Sequence, residues 1–341
     1  MKLATYRPRE APSVQFGALL SDGRLLTLRA GALVLLAEYG LPERYDASRH
    51  LRHSLAFLES GPEAFSLAYQ VVERAEQALR EGQALRGEPG QRLVHPVETV
   101  EFLPPVPRSG KILAAGRNFA EHAAEVGGAV PAEAPSGFLK TTSSLIGHNG
   151  AVIYPAFTQA LDYEVEVAAV IGRRAKNVTP ETALDHVAGY TIFNDLSARD
   201  VQRAESRSGN HLLGKNFDTA GPMGPYLVTA DEIPDPSRLE LELRVNGELR
   251  QRGNTAQMIY PLPRLIAHWS QMTLYPGDVV TTGTPPGVAA GRGDDRSYQT
   301  QETGAALDER YGSNRYYLRA GDVIEATVTG LGTLQNTIRP A

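Results

Sequence analysis

Glu164 and Glu166 stand two residues apart in the stretch Leu161-Asp162-Tyr163-Glu164-Val165-Glu166-Val167-Ala168-Ala169-Val170-Ile171-Gly172. Successive side chains of a β-strand point to opposite faces, so the two carboxylates share one face. The flanking Val165, Val167, Ala168, Val170 and Ile171 read as a strand buried on both sides. Two carboxylates side by side in such a strand repel each other and lose their hydration unless a cation neutralises them. A bound metal ion is the reading that removes both costs. A second pair, His122 and Glu125, lies three residues apart in a helical stretch, so the two side chains can touch. A histidine fixed by a carboxylate is a candidate general base, and a surface ion pair is the competing reading. Their spacing alone leaves both open.

These residues need elements to hold them. Lys111 to Ala115 reads as a strand that Gly116-Arg117-Asn118 turns into the helix carrying His122 and Glu125. After the Glu-x-Glu strand, Thr179-Pro180-Glu181 has the form of a helix start, with Gly189 as its end. The strand Tyr190 to Phe193 then delivers Asn194 and Asp195 at its C-terminal end, and Ser197-Ala198-Arg199-Asp200 resembles a capping box for another helix. Lys215 to Pro225 reads as a turn-rich loop. Leu239 to Val245, the Asn246-Gly247 turn and Glu248 to Arg250 form a hairpin. Leu262, Leu265, Ile266 and Trp269 make one apolar helix face. Gly277 to Gly287 is a strand that breaks into a Gly/Pro loop, but no Lys-Ser/Thr follows it, so it is not a P-loop. Gly291 to Asn314 reads as a polar loop, and two short strands, Val323 to Val328 and Thr333 to Ile338, finish the chain.

The first hundred residues read as a separate packing unit without chemistry. It contains an Asp22-Gly23 hairpin and an amphipathic helix of about five turns marked by Phe65, Ala68, Val72, Ala75 and Leu79. Pro96, Pro104, Pro105 and Pro107, within Gly87 to Gly110, suggest a semi-rigid connection. The division expected is therefore 1–100 and 101–341.

The 341 residues carry a net charge of -5 with no basic run, which argues against a nucleic-acid partner. Zero cysteines exclude disulfides, thiolate metal sites and a Cys nucleophile. With no signal-peptide pattern at Met1 to Glu10 and no apolar run of membrane-spanning length, a cytoplasmic protein is expected.

From Lys111 to Arg339 the chain resembles the fumarylacetoacetate hydrolase family through an ordered set of motifs. They are Gly116-Arg117-Asn118-Phe119 with His122 and Glu125, Phe138-Leu139-Lys140, Asp162-Tyr163-Glu164-Val165-Glu166 and Asn194-Asp195-Leu196-Ser197-Ala198-Arg199-Asp200. Gly214-Lys215-Asn216-Phe217-Asp218, Gly283-Thr284-Pro285-Pro286-Gly287 and Gly330-Leu331-Gly332-Thr333-Leu334 complete the set. The resemblance implies an α+β fold, a β-rich mixed sheet or β-roll with a small N-terminal α/β domain, usually dimeric. It implies Mg²⁺, with Mn²⁺ or Ca²⁺ as substitutes, held by Glu164, Glu166 and Asp195; an all-oxygen set also suits a hard cation rather than zinc. His122 and Glu125 become a proton-handling dyad and Lys215 the cation that polarises substrate oxygens. Arg117, Asn118, Lys140, Arg199, Gln202 and Thr284 fall at substrate-contact positions.

The activity implied is hydrolysis of a carbon-carbon bond in a small anionic 2-oxo or 2,4-dioxo carboxylate. Decarboxylation or isomerisation of an unsaturated keto-dicarboxylate in aromatic-acid breakdown, and dehydration of a keto-sugar acid, use the same machinery. An inert metal-binding homologue is the rival from outside the class. Two departures from the family stand out: Phe119, where Tyr is common, and the insert Gly291 to Asn314, expected to cap the pocket or extend a dimer contact.

Overall fold

The computed structural model describes residues 1–11, 13–36, 46–87, 92–127, 133–292 and 305–341. Among them, twelve strands join in one mixed sheet. Its path runs Val94–Pro96, Arg24–Thr27, Gln15–Leu19, Lys2–Pro8, Gly221–Thr229, Val187–Asn194, Val165–Ile171, Val279–Thr281, Ile112–Gly116 and Ser136–Lys140. Neighbours on this path are antiparallel except Val279–Thr281 and Ile112–Gly116, which run parallel. A second sheet orders Glu248–Asn254, Glu240–Val245, Val323–Val328, Gly332–Arg339 and Ala151–Ile153. The fold is α+β with large mixed sheets, as the sequence indicates.

The Val165–Ile171 strand is buried along its whole length. Its odd residues, Val165, Val167, Ala169 and Ile171, pack into a core with Leu241, Leu243, Ile324 and Leu334 of the second sheet. The even residues Ala168 and Val170 enter another core with Leu26, Phe57 and Leu67 from the first hundred residues. Glu164 and Glu166 continue that even series toward the strand's start, so one face carries carboxylates at one end and aliphatic side chains at the other.

The N-terminal strands extend the same sheet, since Lys2–Pro8 pairs with Gly221–Thr229. The proline-bearing stretch after Gly87 is not a bare connector, because Val94–Pro96 and Val100–Leu103 both pair into this sheet. The amphipathic helix spans Pro62–Arg80; its buried face is Ala64, Leu67, Ala68, Val71 and Ala75, with Phe65, Val72 and Leu79 flanking it. Both Asp22-Gly23 and Asn246-Gly247 turn hairpins, and Leu262–Trp269 buries its four expected apolar residues.

Four local expectations are corrected. Residues 179–189 hold only a 3₁₀ turn, Ala183–His186, and Gly189 lies inside Val187–Asn194. A Cβ there would collide with the Val228 carbonyl oxygen of the neighbouring strand, so this glycine serves strand contact rather than a helix end. Ser197 caps nothing: Ser197–Ala198 pairs with Leu161–Asp162, and its hydroxyl donates to the Asp195 carbonyl at 2.9 Å. Lys215 sits in a short helix, Leu213–Asn216, and Gly221–Thr229 is a central strand rather than a loop. The insert is not all loop either, since Ala305–Ser313 is helical, while residues 293–304 fall outside the described part. Among the described residues, no helix is long and apolar enough to cross a membrane.

Candidate metal centre and catalytic cavity

The register of Val165–Ile171 against Val187–Asn194 sets Val165 opposite Asn194, and the Asp195 N–H donates to the Glu164 carbonyl at 2.9 Å. Asp195 therefore arrives beside the two glutamates. Glu164, Glu166 and Asp195 are all buried, and each offers an oxygen within 4.8 Å of the others.

Three cations hold this cluster. Lys215 Nζ donates to Glu164 Oε2 at 2.8 Å and to Asp195 Oδ2 at 2.7 Å. Lys140 Nζ donates to Asp195 Oδ1 at 2.6 Å and also to the carbonyls of Lys215 and Ala220. Arg199 donates through Nη2 to Glu164 Oε1 at 2.6 Å, through Nε to Asp162 Oδ2 at 2.7 Å and through Nη1 to Gln202 at 2.9 Å. Lys140, Lys215 and Arg199 thus face four carboxylates, Asp162, Glu164, Glu166 and Asp195. One negative charge is left over.

The imbalance falls on Glu166. Burial alone raises the Glu164 carboxyl, but the Lys215 and Arg199 charges override it and hold it well below the usual range. Glu166 is pushed the other way, first by burial and then by the charges of Asp195 and Glu164. It receives one backbone N–H, from Gly283 at 3.3 Å. For Lys140, burial outweighs the pull of Asp195 and lowers its proton affinity, whereas Asp195 and Glu164 outweigh burial at Lys215 and raise it. An oxygen-only triad with an uncompensated buried carboxylate fits a hard divalent cation, which would be held by Glu164, Glu166 and Asp195.

The loop after Val279–Thr281 surrounds this cluster with backbone donors. Beyond Gly283 N–H on Glu166, the Gly287 N–H reaches the Glu125 carboxylate at 3.1 and 3.0 Å, and the Ala289 and Ala290 N–H groups reach Asp162 at 2.8 and 3.1 Å. Thr284 donates to the Val165 carbonyl at 3.0 Å and accepts from Gln251 at 2.8 Å. Asp162 therefore joins this loop to Arg199, and through Arg199 to Glu164. Near the insert's end, Asn314 Nδ2 donates to the carbonyls of Ala289 and Arg292, both at 3.2 Å.

A cavity of about 540 Å³ opens over the cluster. Arg117, His122, Glu164, Arg199, Gln202, Lys215 and Thr284, all singled out from the sequence, line it together. His122 Nδ1 stands 3.5 Å from Glu125 Oε2, and a charge on His122 reaches Glu164. Five further residues singled out lie outside the lining, among them Glu125, which the Gly287 N–H holds. Glu166 and Asp195 sit behind Glu164 in the carboxylate cluster, Lys140 holds Asp195 from behind, and the Asn118 amide ties Tyr260 and Thr282 through their carbonyls at 3.0 and 2.8 Å. Spacing assigns no role to Asp162 or His211: the first is a fourth buried acid in the Asp-Tyr-Glu motif, and the second is a cavity-lining histidine without a carboxylate at helical spacing to flag it.

An α+β fold with a buried carboxylate triad facing a cavity of this kind defines an acidic, metal-competent pocket protein. Residues 111–339 match the family model described as fumarylacetoacetate (FAA) hydrolase C-terminal, and the chain belongs to that family. An uncharacterized protein of Pyrococcus horikoshii is 48% identical over 231 residues, which is 67% of this chain and 87% of that relative. The solved structure of a fumarylacetoacetate hydrolase from the psychrophilic Exiguobacterium antarcticum is 28% identical with a TM-score of 0.70, covering 100% of both chains. A 5-carboxymethyl-2-hydroxymuconate delta-isomerase from Mycobacterium smegmatis is 29% identical with a TM-score of 0.65, covering 100% of this chain and 99% of that one.

Proposed function

We propose that the protein is a divalent-metal-dependent hydrolase that cleaves a carbon-carbon bond in a 2-oxo or 2,4-dioxo carboxylate. The observation that carries this reading is one cavity lined by His122, Lys215 and Glu164, with Glu166 and Asp195 clustered against Glu164. Mg²⁺ is the metal of first choice; when bound, it supplies Lewis-acid stabilisation of negative charge on the substrate's oxygens.

The chain's own residues supply the rest. His122, oriented by Glu125, takes a proton from a water that adds to the carbonyl carbon at position 4. The bond between carbons 3 and 4 then breaks, and its electron pair passes to the 2-oxo acid fragment as an enolate. The Lys215 ammonium stabilises that developing charge. Protonated His122 returns its proton to carbon 3, leaving a carboxylic acid and a shorter 2-oxo acid. The Gly287 N–H contacts to Glu125 keep the dyad's carboxylate in place while the proton moves.

The isomerase named among the structural neighbours favours a second reading, in which the same groups move a proton on an unsaturated keto-dicarboxylate, with or without loss of CO₂. Purified protein with Mg²⁺ separates the two by product: acylpyruvates give a carboxylic acid and pyruvate under the first reading and stay intact under the second. EDTA abolishes either activity, and turnover that survives stripping would overturn both. A homodimer in the cytoplasm goes with this reading; the dimer is supported by exposed Leu139, Leu212 and Leu213, of which Leu139 and Leu212 are bridged by Asn216, and light scattering measures the oligomeric state alone.

A further inference from the structure

The turn that carries Lys215 is not held by packing of its own. Leu213–Asn216 is a four-residue helix, far too short to keep its shape without outside contacts. Leu213 and the preceding Leu212 are exposed, and Gly214 has no side chain to bury. Polar contacts fix it from two sides. On one, Asn216 accepts from the Thr141 N–H at 2.6 Å and donates to the Leu139 carbonyl at 3.2 Å, while Lys140 Nζ donates to the Lys215 carbonyl. On the other stands Glu205, in the Arg199–Ser206 helix. Its Oε2 accepts from the Leu212 and Gly214 N–H groups at 2.9 and 3.1 Å, and its Oε1 from the Leu213 N–H at 2.7 Å. A helix cannot satisfy these first N–H groups from within, and here a carboxylate of another helix takes all three. A Cβ on Gly214 would stand 2.7 Å from the Gln202 backbone nitrogen, so the two helices meet backbone to backbone. The Arg199–Ser206 helix also presents Arg199 and Gln202 to the cavity. Glu205 therefore ties Lys215 to the element that carries the cavity's Glu164-bound guanidinium.

We propose that Glu205 is the positioning residue for Lys215: by capping the Leu213–Asn216 turn it holds the ammonium where negative charge develops on the substrate's 2-oxo oxygen. Lys215 has three ammonium protons, of which Glu164 and Asp195 take two, and the third serves a ligand in the cavity that Lys215 lines. Where the turn sits decides where that proton points. Glu205 lies outside the cavity lining and acts through the lysine alone. Its carboxylate is half-buried, so its loss should lower the melting temperature by less than about 5 °C. The inference rests on the proposed function for the role of Lys215.

The test compares oxalate with pyruvate, titrated calorimetrically into the Mg²⁺-loaded protein. The two share a carboxylate, but oxalate carries negative charge on the oxygen that matches the 2-oxo oxygen, as the enolate does. Glu205→Ala should weaken oxalate at least about tenfold, the scale of one charge-assisted hydrogen bond, and pyruvate and Mg²⁺ by less than about threefold. Glu205→Gln retains one acceptor oxygen and should fall between Glu205→Ala and wild type. With acetylpyruvate as substrate, Glu205→Ala should lose at least about tenfold in kcat with KM within about threefold. An oxalate affinity unchanged in Glu205→Ala overturns the proposal. Equal losses for oxalate and pyruvate, or a matching loss of Mg²⁺ binding, also overturn it, since they mark a general structural role. Failure of wild type to hydrolyse acetylpyruvate would remove the hydrolase reading and leave the oxalate comparison to decide the role of Glu205.

Discussion

One face of the stretch Glu164 to Ile171, the Val165–Ile171 strand and the residue before it, achieves burial by two different chemistries. At its far end Ala168 and Val170 pack on Leu26, Phe57 and Leu67, each buried methyl or methylene adding about 0.8 kcal/mol without needing a specific partner. At its near end Glu164 and Glu166 are as deeply buried, but only within a network that reaches Lys215, Lys140, Arg199, Asp162 and the Gly283–Ala290 backbone. The aliphatic end tolerates change in proportion to volume, whereas the polar end fails in proportion to the charge left unpaired. The first hundred residues therefore support the site by covering the half of the face that has no chemistry.

The largest expected effect is on turnover. Lys215→Met keeps the side-chain length but removes the cation that faces Glu164 and Asp195, and kcat/KM should fall by about three orders of magnitude or more, measured by steady-state kinetics. A fall below tenfold would make the lysine a packing residue like those at the far end. Next comes Asp162→Ala, which strips acceptors from the Ala289 and Ala290 N–H groups and leaves the Arg199 guanidinium short of a counter-ion. Denaturant unfolding should show a loss of about 3–5 kcal/mol, together with weaker metal binding because Arg199 no longer aligns Glu164. Val170→Ala, at the aliphatic end, should cost about 1–2 kcal/mol and leave metal affinity unchanged. A change in metal affinity there would erase the distinction between the two ends.

Much of this was legible in residue types. The Asp-Gly and Asn-Gly hairpins, the apolar face of Leu262–Trp269 and the two carboxylates of one strand face follow from turn chemistry and side-chain period. Gly189 misled because a glycine needed for strand contact looks, in sequence, like a helix terminator. Ser197 misled because its hydroxyl serves a backbone carbonyl rather than a helix end. The Gly283–Ala290 loop hid its function more completely, since its donors to Glu166, Glu125 and Asp162 are backbone N–H groups, which every residue but proline owns. Asp162 stands in a quoted motif without a role because a buried structural acid and a ligand acid share one letter, and only the geometry shows which atoms it meets.

The metal held by the carboxylate triad is tested most directly by calorimetric titration of Mg²⁺ or Mn²⁺ into EDTA-stripped protein, wild type against Glu166→Gln. Glu166 carries the uncompensated charge, so one site per chain is expected in the wild type and none in the variant. The stripped variant should also melt at or above the stripped wild type, because a neutral amide relieves the buried repulsion. An unchanged binding isotherm in Glu166→Gln would contradict a metal site built on this triad.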